Sequence, residues 1–125
     1  MKSFTDIKQS KKLAEFLSHE SADMWYWEWP TAPQYNNYER PMPHKGEGIV
    51  NVPCWSLASL LDIFPCSKES PIVNLTRGGW NPSFTRRWFA TWEDENKNIL
   101  YSCDGISPVD AVVELIFKLH EQKLL

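Results

Sequence analysis

The sequence predicts an α+β fold in a single domain of residues 1–125, and three features lead to this prediction. A helical apolar pattern occurs at 54–64, and a longer one follows Ser107. Between them, three short apolar runs alternate with turn-forming residues. Helices segregated from an antiparallel sheet are typical of this class. We therefore expect a three-stranded antiparallel sheet packed with about three helices.

The N-terminal segment FTDIKQSKKLAEFLSHES predicts a short amphipathic helix. Ile7, Leu13 and Phe16 are spaced among polar residues, and either Thr5 or Asp6 is suited to cap the first turn. From Pro30 onward the pattern changes, because five prolines lie between positions 30 and 53 and each disfavours helix at the preceding residue. Residues 31–48 are expected to form a proline-rich loop. Structureless loops of this length are uncommon unless they are functional or disordered.

The second half of the chain gives the clearest local patterns. The apolar spacing i, i+3, i+4, i+7 from Leu57 predicts a buried helix at 54–64, with Pro53 in its first turn and Pro65 ending it. Strands are predicted at 72–76, 84–92 and 99–103. One face of the middle strand, predicted to be the core face, carries Phe84, Arg86, Trp88, Ala90 and Trp92.

The last segment, SPVDAVVELIFKLHEQKLL, predicts a helix that lies across the sheet. Ser107 is a good N-cap, Pro108 suits the first helical position, and Asp110 favours the positive end of the helix dipole. A wide apolar face opposes a polar stripe. That face comprises Val109, Val112, Val113, Ile116, Phe117 and Leu119.

Composition limits the classes of function. The chain is 42% hydrophobic and 23% charged, as in ordinary globular domains, but it contains seven tryptophans. The net charge of −3 provides no overall field to attract duplex nucleic acid or an acidic membrane surface. No apolar run approaches the roughly 20 residues needed to cross a bilayer. An odd number of cysteines, three, favours reduced thiols and a cytoplasmic protein.

Three segments resemble a known family. These are SADM after the first helix, VPCWSLASLLDIFP in the middle, and DGISPVDAVVELIFKLHEQKLL at the end. Together they resemble a family of small uncharacterised proteins encoded in prophage and mobile-element regions of Bacteroides-type gut bacteria. The resemblance implies a genetic context and no mechanism.

The stretch ADMWYWEWP raises the central functional question. If it is extended, Trp25, Trp27 and Trp29 point to one side, about 7 Å apart, a spacing suited to sugar rings or unstacked bases. The following loop adds aromatic and hydrogen-bonding groups typical of recognition surfaces. The candidate binding residues are Trp25, Trp27, Trp29, Tyr35, Tyr38 and Arg40.

Packing is the simpler interpretation of the same stretch. Large aromatic side chains are usually buried, and the N-terminal half has few aliphatic residues with which to attach itself. The sequence favours intramolecular packing first, a partner or self-association surface second, and ligand stacking third. In the packing interpretation, one of the two faces of the strand stays free.

Other kinds of site have weaker support. Basic and aromatic residues are interleaved at Trp80, Arg86, Arg87 and Trp88. Arg86 and Arg87 must point to opposite faces of a strand, however, which argues against a single-stranded nucleic-acid patch. No CxxC, HxH or HExxH spacing predicts a metal, and no Gly-rich phosphate loop predicts a nucleotide. Cys103 with a distant His120 is the one candidate for thiol catalysis.

The sequence as a whole predicts a non-enzymatic protein without catalytic residues, metal or cofactor. It would act as an accessory protein of a prophage or mobile element, through a protein partner or self-association. The two alternatives are an aromatic stacking module for glycan or single-stranded nucleic acid, and a small cysteine-dependent enzyme. Neither duplex nucleic acid nor a membrane is an expected partner.

Overall fold

The computed structural model describes residues 1–65, 71–80 and 86–125. Within these ranges the chain is an α+β protein with two antiparallel sheets and three α-helices. The strands are β1 (Met24–Glu28), β2 (Val50–Cys54), β3 (Ile72–Trp80), β4 (Arg86–Glu93) and β5 (Ile99–Gly105). The helices are α1 (Ile7–Leu13), α2 (Leu57–Leu61) and α3 (Pro108–Glu121), with short 3-10 turns at His19–Ser21 and Pro33–Tyr35. None of the helices described here is long and apolar enough to span a bilayer.

The predicted three-stranded sheet is confirmed, with β4 between β3 and β5. Ala90 and Trp92 are buried beneath α3, and Trp88 packs against the same core. The alternation of side chains along a strand therefore predicted the core face of β4 correctly at these three positions. Phe84 lies outside the described residues, and so does the side chain of Arg86.

The last helix forms as its sequence predicts. The Ser107 hydroxyl accepts a hydrogen bond from the Asp110 N–H at 3.1 Å, and Pro108 occupies the first helical position. The first backbone N–H groups of a helix have no partner within the helix. The Ser107 hydroxyl accepts one of them, and Pro108 has no N–H that would need a partner. The apolar face of α3 packs on β4 and β5, and its aliphatic side chains are fully buried: Val109, Val112, Val113, Leu115, Ile116 and Leu119. Phe117, also predicted on this face, is only partly buried.

A second sheet corrects the predicted architecture. β1 pairs with β2 in antiparallel register, with Trp25 opposite Pro53 and Tyr26 opposite Val52. Pro53 therefore lies in a strand and not in the first turn of a helix, and the predicted helix at 54–64 contracts to α2. The pairing joins segments far apart in the chain, so local periodicity carries no signal for it. A two-stranded sheet tolerates a proline because both strands have an edge.

The N-terminal residues tie this second sheet together. Asp6 caps α1 in a reciprocal capping box with Gln9, although α1 ends at Leu13 and is shorter than predicted. Thr5 is fully buried, and its hydroxyl lies 2.7 Å from the Ser10 hydroxyl and accepts the Trp55 N–H at 3.1 Å. The Thr5 carbonyl in turn accepts a hydrogen bond of 2.7 Å from the Tyr26 hydroxyl. One buried polar network thus links α1, β1 and Trp55, the residue that follows β2.

The proline-rich loop folds back on β1. Trp25 and Met42 exchange two backbone hydrogen bonds, each of 2.7 Å. These bonds place the middle of the loop beside the strand that precedes it. The side chains on the tryptophan face of β1 are therefore covered by the loop and not by a helix.

Candidate functional site

A cleft of about 220 Å³ opens between the end of β1 and the proline-rich loop. Six side chains from these two segments line it: Trp27, Trp29, Tyr35, Asn37, Arg40 and Met42. Four of the six residues predicted from the sequence as a binding site therefore line the same cleft. They meet there because the loop returns to β1 at Met42.

An aromatic corner is the most exposed part of the cleft. The rings of Trp29 and Tyr35 lie edge to face, with centroids 6.3 Å apart and planes inclined at 69°. Trp29 is 38% exposed and Tyr35 is 67% exposed. Edge-to-face contact is a favourable arrangement of two aromatic rings, so the corner is stabilised even though much of it faces water.

A chain of hydrogen bonds beneath the cleft holds the loop in place. The Asn36 side-chain oxygen accepts the Trp29 N–H at 2.7 Å, and the Asn36 amide donates to the Tyr38 hydroxyl at 3.1 Å. The Tyr38 hydroxyl donates to Glu28 at 2.7 Å, and Lys11 forms an ion pair with the same carboxylate, also at 2.7 Å. The loop is thereby anchored through β1 to α1.

Glu28 is the electrostatic centre of this anchor. The Lys11 ammonium and the Tyr38 hydroxyl both favour the ionised carboxylate, so they hold the pKa of Glu28 below its usual range. The same carboxylate raises the pKa of Tyr38, because it accepts the phenolic hydrogen. At neutral pH, Glu28 is therefore charged and Tyr38 is a hydrogen-bond donor.

The hydrogen-bonding groups at the cleft are mostly donors. Arg40 is the one charged residue in the lining, and no carboxylate among the described residues lies within ion-pair distance of it. The Asn37 side-chain oxygen already accepts the Glu39 N–H at 3.0 Å. What Asn37 offers besides is its two amide N–H groups. The cleft thus combines apolar surface with positive charge and hydrogen-bond donors.

Two of the predicted binding residues lie outside the cleft. Trp25 is half-buried next to Met42, with the Lys45 ammonium 5.5 Å from its ring centroid. Tyr38 lies on the opposite side of β1, where its ring meets Tyr26 edge to face at 6.1 Å. Tyr38 therefore positions the loop and does not line the cleft.

The three indoles do not form an exposed row. Trp27 is half-buried, and the His44 ring lies against it at 5.6 Å. Trp29 alone among the three is more than one third exposed. The residue of this stretch that enters the core is Tyr26, at 1% exposure, from the other face of the strand.

Two cleft residues, Asn37 and Met42, were missing from the predicted site. Asn37 had a signal in the sequence, because it lies in a polar and aromatic loop of the kind found at recognition surfaces. Met42 had none, since its place depends on its backbone pairing with Trp25.

The nucleic-acid patch that the sequence argued against, around Arg86 and Arg87, receives no support from its described members. Arg87 forms an ion pair with Asp104, and the Trp88 ring is approached by Arg77 at 6.0 Å. The side chains of Trp80 and Arg86 lie outside the described part of the structure. Among the residues described, no three His, Cys, Asp or Glu side chains converge in a manner that could hold a metal ion.

The two thiols that the structure describes, Cys54 and Cys103, are unfavourable for catalysis. Burial raises the pKa of the Cys103 thiol, and the Glu114 carboxylate raises it further. Burial also raises the pKa of Cys54. Reactive cysteines need the opposite, a lowered pKa in a positive environment. Cys66 lies outside the described residues.

No protein-family model, curated protein or solved structure matches the chain. The mobile-element resemblance therefore stays a prediction from three sequence segments.

Proposed function

We propose that the protein is non-enzymatic and binds another protein through the cleft between β1 and the proline-rich loop. The observation that carries this proposal is the exposed aromatic corner of Trp29 and Tyr35, held by hydrogen bonds and bordered by Arg40. In this proposal the protein is a cytoplasmic accessory protein of a prophage or mobile element. The odd number of cysteines supports the cytoplasmic location, and the sequence resemblance alone supports the genetic context.

The residue types at the cleft suit a protein partner. Trp, Tyr and Arg are the residues most enriched among those that dominate binding energy at protein interfaces. Aromatic side chains give a large contact area for little loss of conformational entropy, because each has two rotatable bonds. The Asn36 and Glu28 contacts reduce that loss further, since the loop is already held in place before binding.

A stacking site for glycan or single-stranded nucleic acid is less well supported. Such a site needs successive flat faces, whereas the two exposed rings meet at 69° and the other two indoles are half-buried. The net charge of −3 also opposes a polyanion. Both ligands stay alternatives to be tested against the same cleft variants.

The experiment is a quantitative comparison of captured proteins. The wild type, the double variant Trp29→Ala/Tyr35→Ala and the control Ile106→Ala are immobilised and exposed to a lysate of the encoding organism. Ile106 is a matched control because it is apolar and has the same 67% exposure as Tyr35. Mass spectrometry identifies the retained proteins.

The expected result is a protein retained by the wild type and by Ile106→Ala but lost from the double variant. After purification, that protein should change the NMR signal of the Trp29 indole. Identical sets of proteins on all three surfaces would contradict the proposal.

A further inference from the structure

We infer that the cleft recognises an extended, proline-containing peptide segment that carries carboxylate side chains. This inference rests on the proposed function and adds the chemical class of the partner. Its basis is the size of the cleft, the geometry of its aromatic corner and the sign of its charge.

The size of the cleft favours a segment of chain over an enclosed small molecule. Its volume of about 220 Å³ is below the roughly 300 Å³ at which pockets for drug-sized ligands begin. One or two side chains fill such a cleft, and the rest of the ligand must run over the surface. An extended segment meets this requirement because its side chains project at regular intervals.

The aromatic corner suits a proline ring. Trp29 and Tyr35 present two apolar surfaces inclined at 69°, which contact a compact ring from two sides. Segments in the polyproline II conformation dock in aromatic-lined grooves, and their preformed backbone limits the entropy lost on binding. Their carbonyl groups have no internal hydrogen bonds. The amide N–H groups of Asn37 are donors beside the corner for such carbonyls.

The charge of the cleft selects an acidic segment. Arg40 is exposed and has no carboxylate within ion-pair distance among the described residues. Glu28, at the end of β1, is on the opposite face of the strand and is already paired with Lys11 and Tyr38. An Arg guanidinium binds carboxylates through two parallel hydrogen bonds, which is a specific and strong arrangement. A carboxylate side chain next to the proline of the bound segment would form this ion pair with Arg40.

The test uses synthetic probes with blocked ends and the full-length protein. The acidic probe contains three Pro-Pro-Glu repeats, and its charge-reversed counterpart contains three Pro-Pro-Lys repeats. A flexible acidic probe contains three Gly-Ser-Glu repeats, and oligothymidine and cellohexaose represent the other ligand classes. The shift of the Trp29 indole N–H signal gives the dissociation constant for each.

The expected result is a shift with the Pro-Pro-Glu probe and about tenfold weaker binding of the Pro-Pro-Lys and Gly-Ser-Glu probes. Arg40→Glu should reverse the preference between the Glu and Lys probes. Lys8→Glu makes the same change of charge on α1, away from the cleft lining, and should keep the wild-type preference.

Other outcomes separate this inference from the proposed function. Equal binding of the Glu and Lys probes, or no preference for proline, overturns the inference and leaves binding of proteins at the cleft intact. A shift with oligothymidine or cellohexaose and none with the peptides overturns both. If no probe shifts Trp29, the peptide class is wrong, and the capture experiment alone decides the proposed function.

Discussion

The two sheets of this protein cover their tryptophans with different elements. In the three-stranded sheet, Trp92 is 6% exposed beneath α3. In the two-stranded sheet, Trp25 and Trp27 share one face of β1, and Trp29 follows directly after the strand. A proline-rich loop covers that face incompletely. Both strands alternate their side chains in the same manner. The element that covers the strand therefore decides whether its aromatics form core or an accessible cleft.

The two covering elements, α3 and the proline-rich loop, differ in the side chains that they present to the sheet below. α3 presents a continuous apolar face of eight buried residues, including Leu115 and Ile116. The loop approaches β1 through the Met42 backbone, and its side chains are mostly polar or proline. A regular helix closes the surface below it by close packing. The loop leaves space between its polar anchors, and that space is the cleft.

The largest effect on stability is expected from a substitution in α3, the helix that covers the three-stranded sheet. Ile116→Ala removes a fully buried side chain from α3 and should lower the free energy of unfolding by about 2–5 kcal/mol. Urea denaturation measures this loss as a lower midpoint. Lys118→Ala, on the exposed side of the same helix, should stay within about 0.5 kcal/mol of the wild type. An equally small loss for Ile116→Ala would mean that α3 is not the main cover of the core.

A smaller loss of stability is expected in the buried polar network around Thr5. Thr5→Val removes the hydroxyl that accepts the Trp55 N–H and contacts Ser10, and it should cost about 1–3 kcal/mol because a buried donor is left unpaired. Thr5→Ser keeps the hydroxyl and should retain most of the stability. Urea midpoints of the three proteins give the comparison. A smaller loss for Thr5→Val than for Thr5→Ser would show that the methyl group and not the hydroxyl matters.

The anchor beneath the cleft should depend on pH. Because the pKa of Glu28 is lowered by folding, its stabilising effect is present above the ordinary glutamate pKa and is lost as pH falls through the folded value. Glu28→Gln should cost less than about 1 kcal/mol at neutral pH, since the ion pair with Lys11 is partly exposed. The difference between the two proteins should vanish in acid. Urea midpoints across the acid range measure it, and a constant difference would exclude charge as its cause.

The smallest effect on stability is expected at the cleft itself. Tyr35→Ala should change the free energy of unfolding by less than about 0.5 kcal/mol, because the side chain is mostly in water. The same change should abolish capture of the partner. Thermal unfolding and the capture assay, performed on one preparation, test both halves of this prediction. Loss of folding in Tyr35→Ala would show that the aromatic corner is structural.

Local signals in the sequence predicted much of the fold. Ser107 and Pro108 mark the start of α3 by their own chemistry, and the alternation around Ala90 identifies a strand without knowledge of its neighbours. The β1–β2 sheet could not be predicted in this way. Its register depends on Tyr26 meeting Val52, a contact between segments separated by the whole loop.

The site was predictable in composition but not in arrangement. The sequence showed an aromatic strand followed by a polar and aromatic loop, which was sufficient to name Trp29, Tyr35 and Arg40. It could not distinguish Trp25 from Trp29, because both have the same position in the alternation. The Trp25–Met42 pairing makes that distinction. Tyr38 was selected for its type, yet its hydrogen bond to Glu28 makes it part of the anchor.

The most direct measurement is the accessibility of each indole N–H to a soluble paramagnetic agent by NMR. We expect strong broadening for Trp29 and protection for Trp55 and Trp92, which are buried at 0% and 6% exposure. Addition of the captured partner should then protect Trp29. A protected Trp29 in the free protein would contradict the account, since the aromatic corner would be part of the core. Persistent exposure of Trp29 in the complex would place the partner elsewhere.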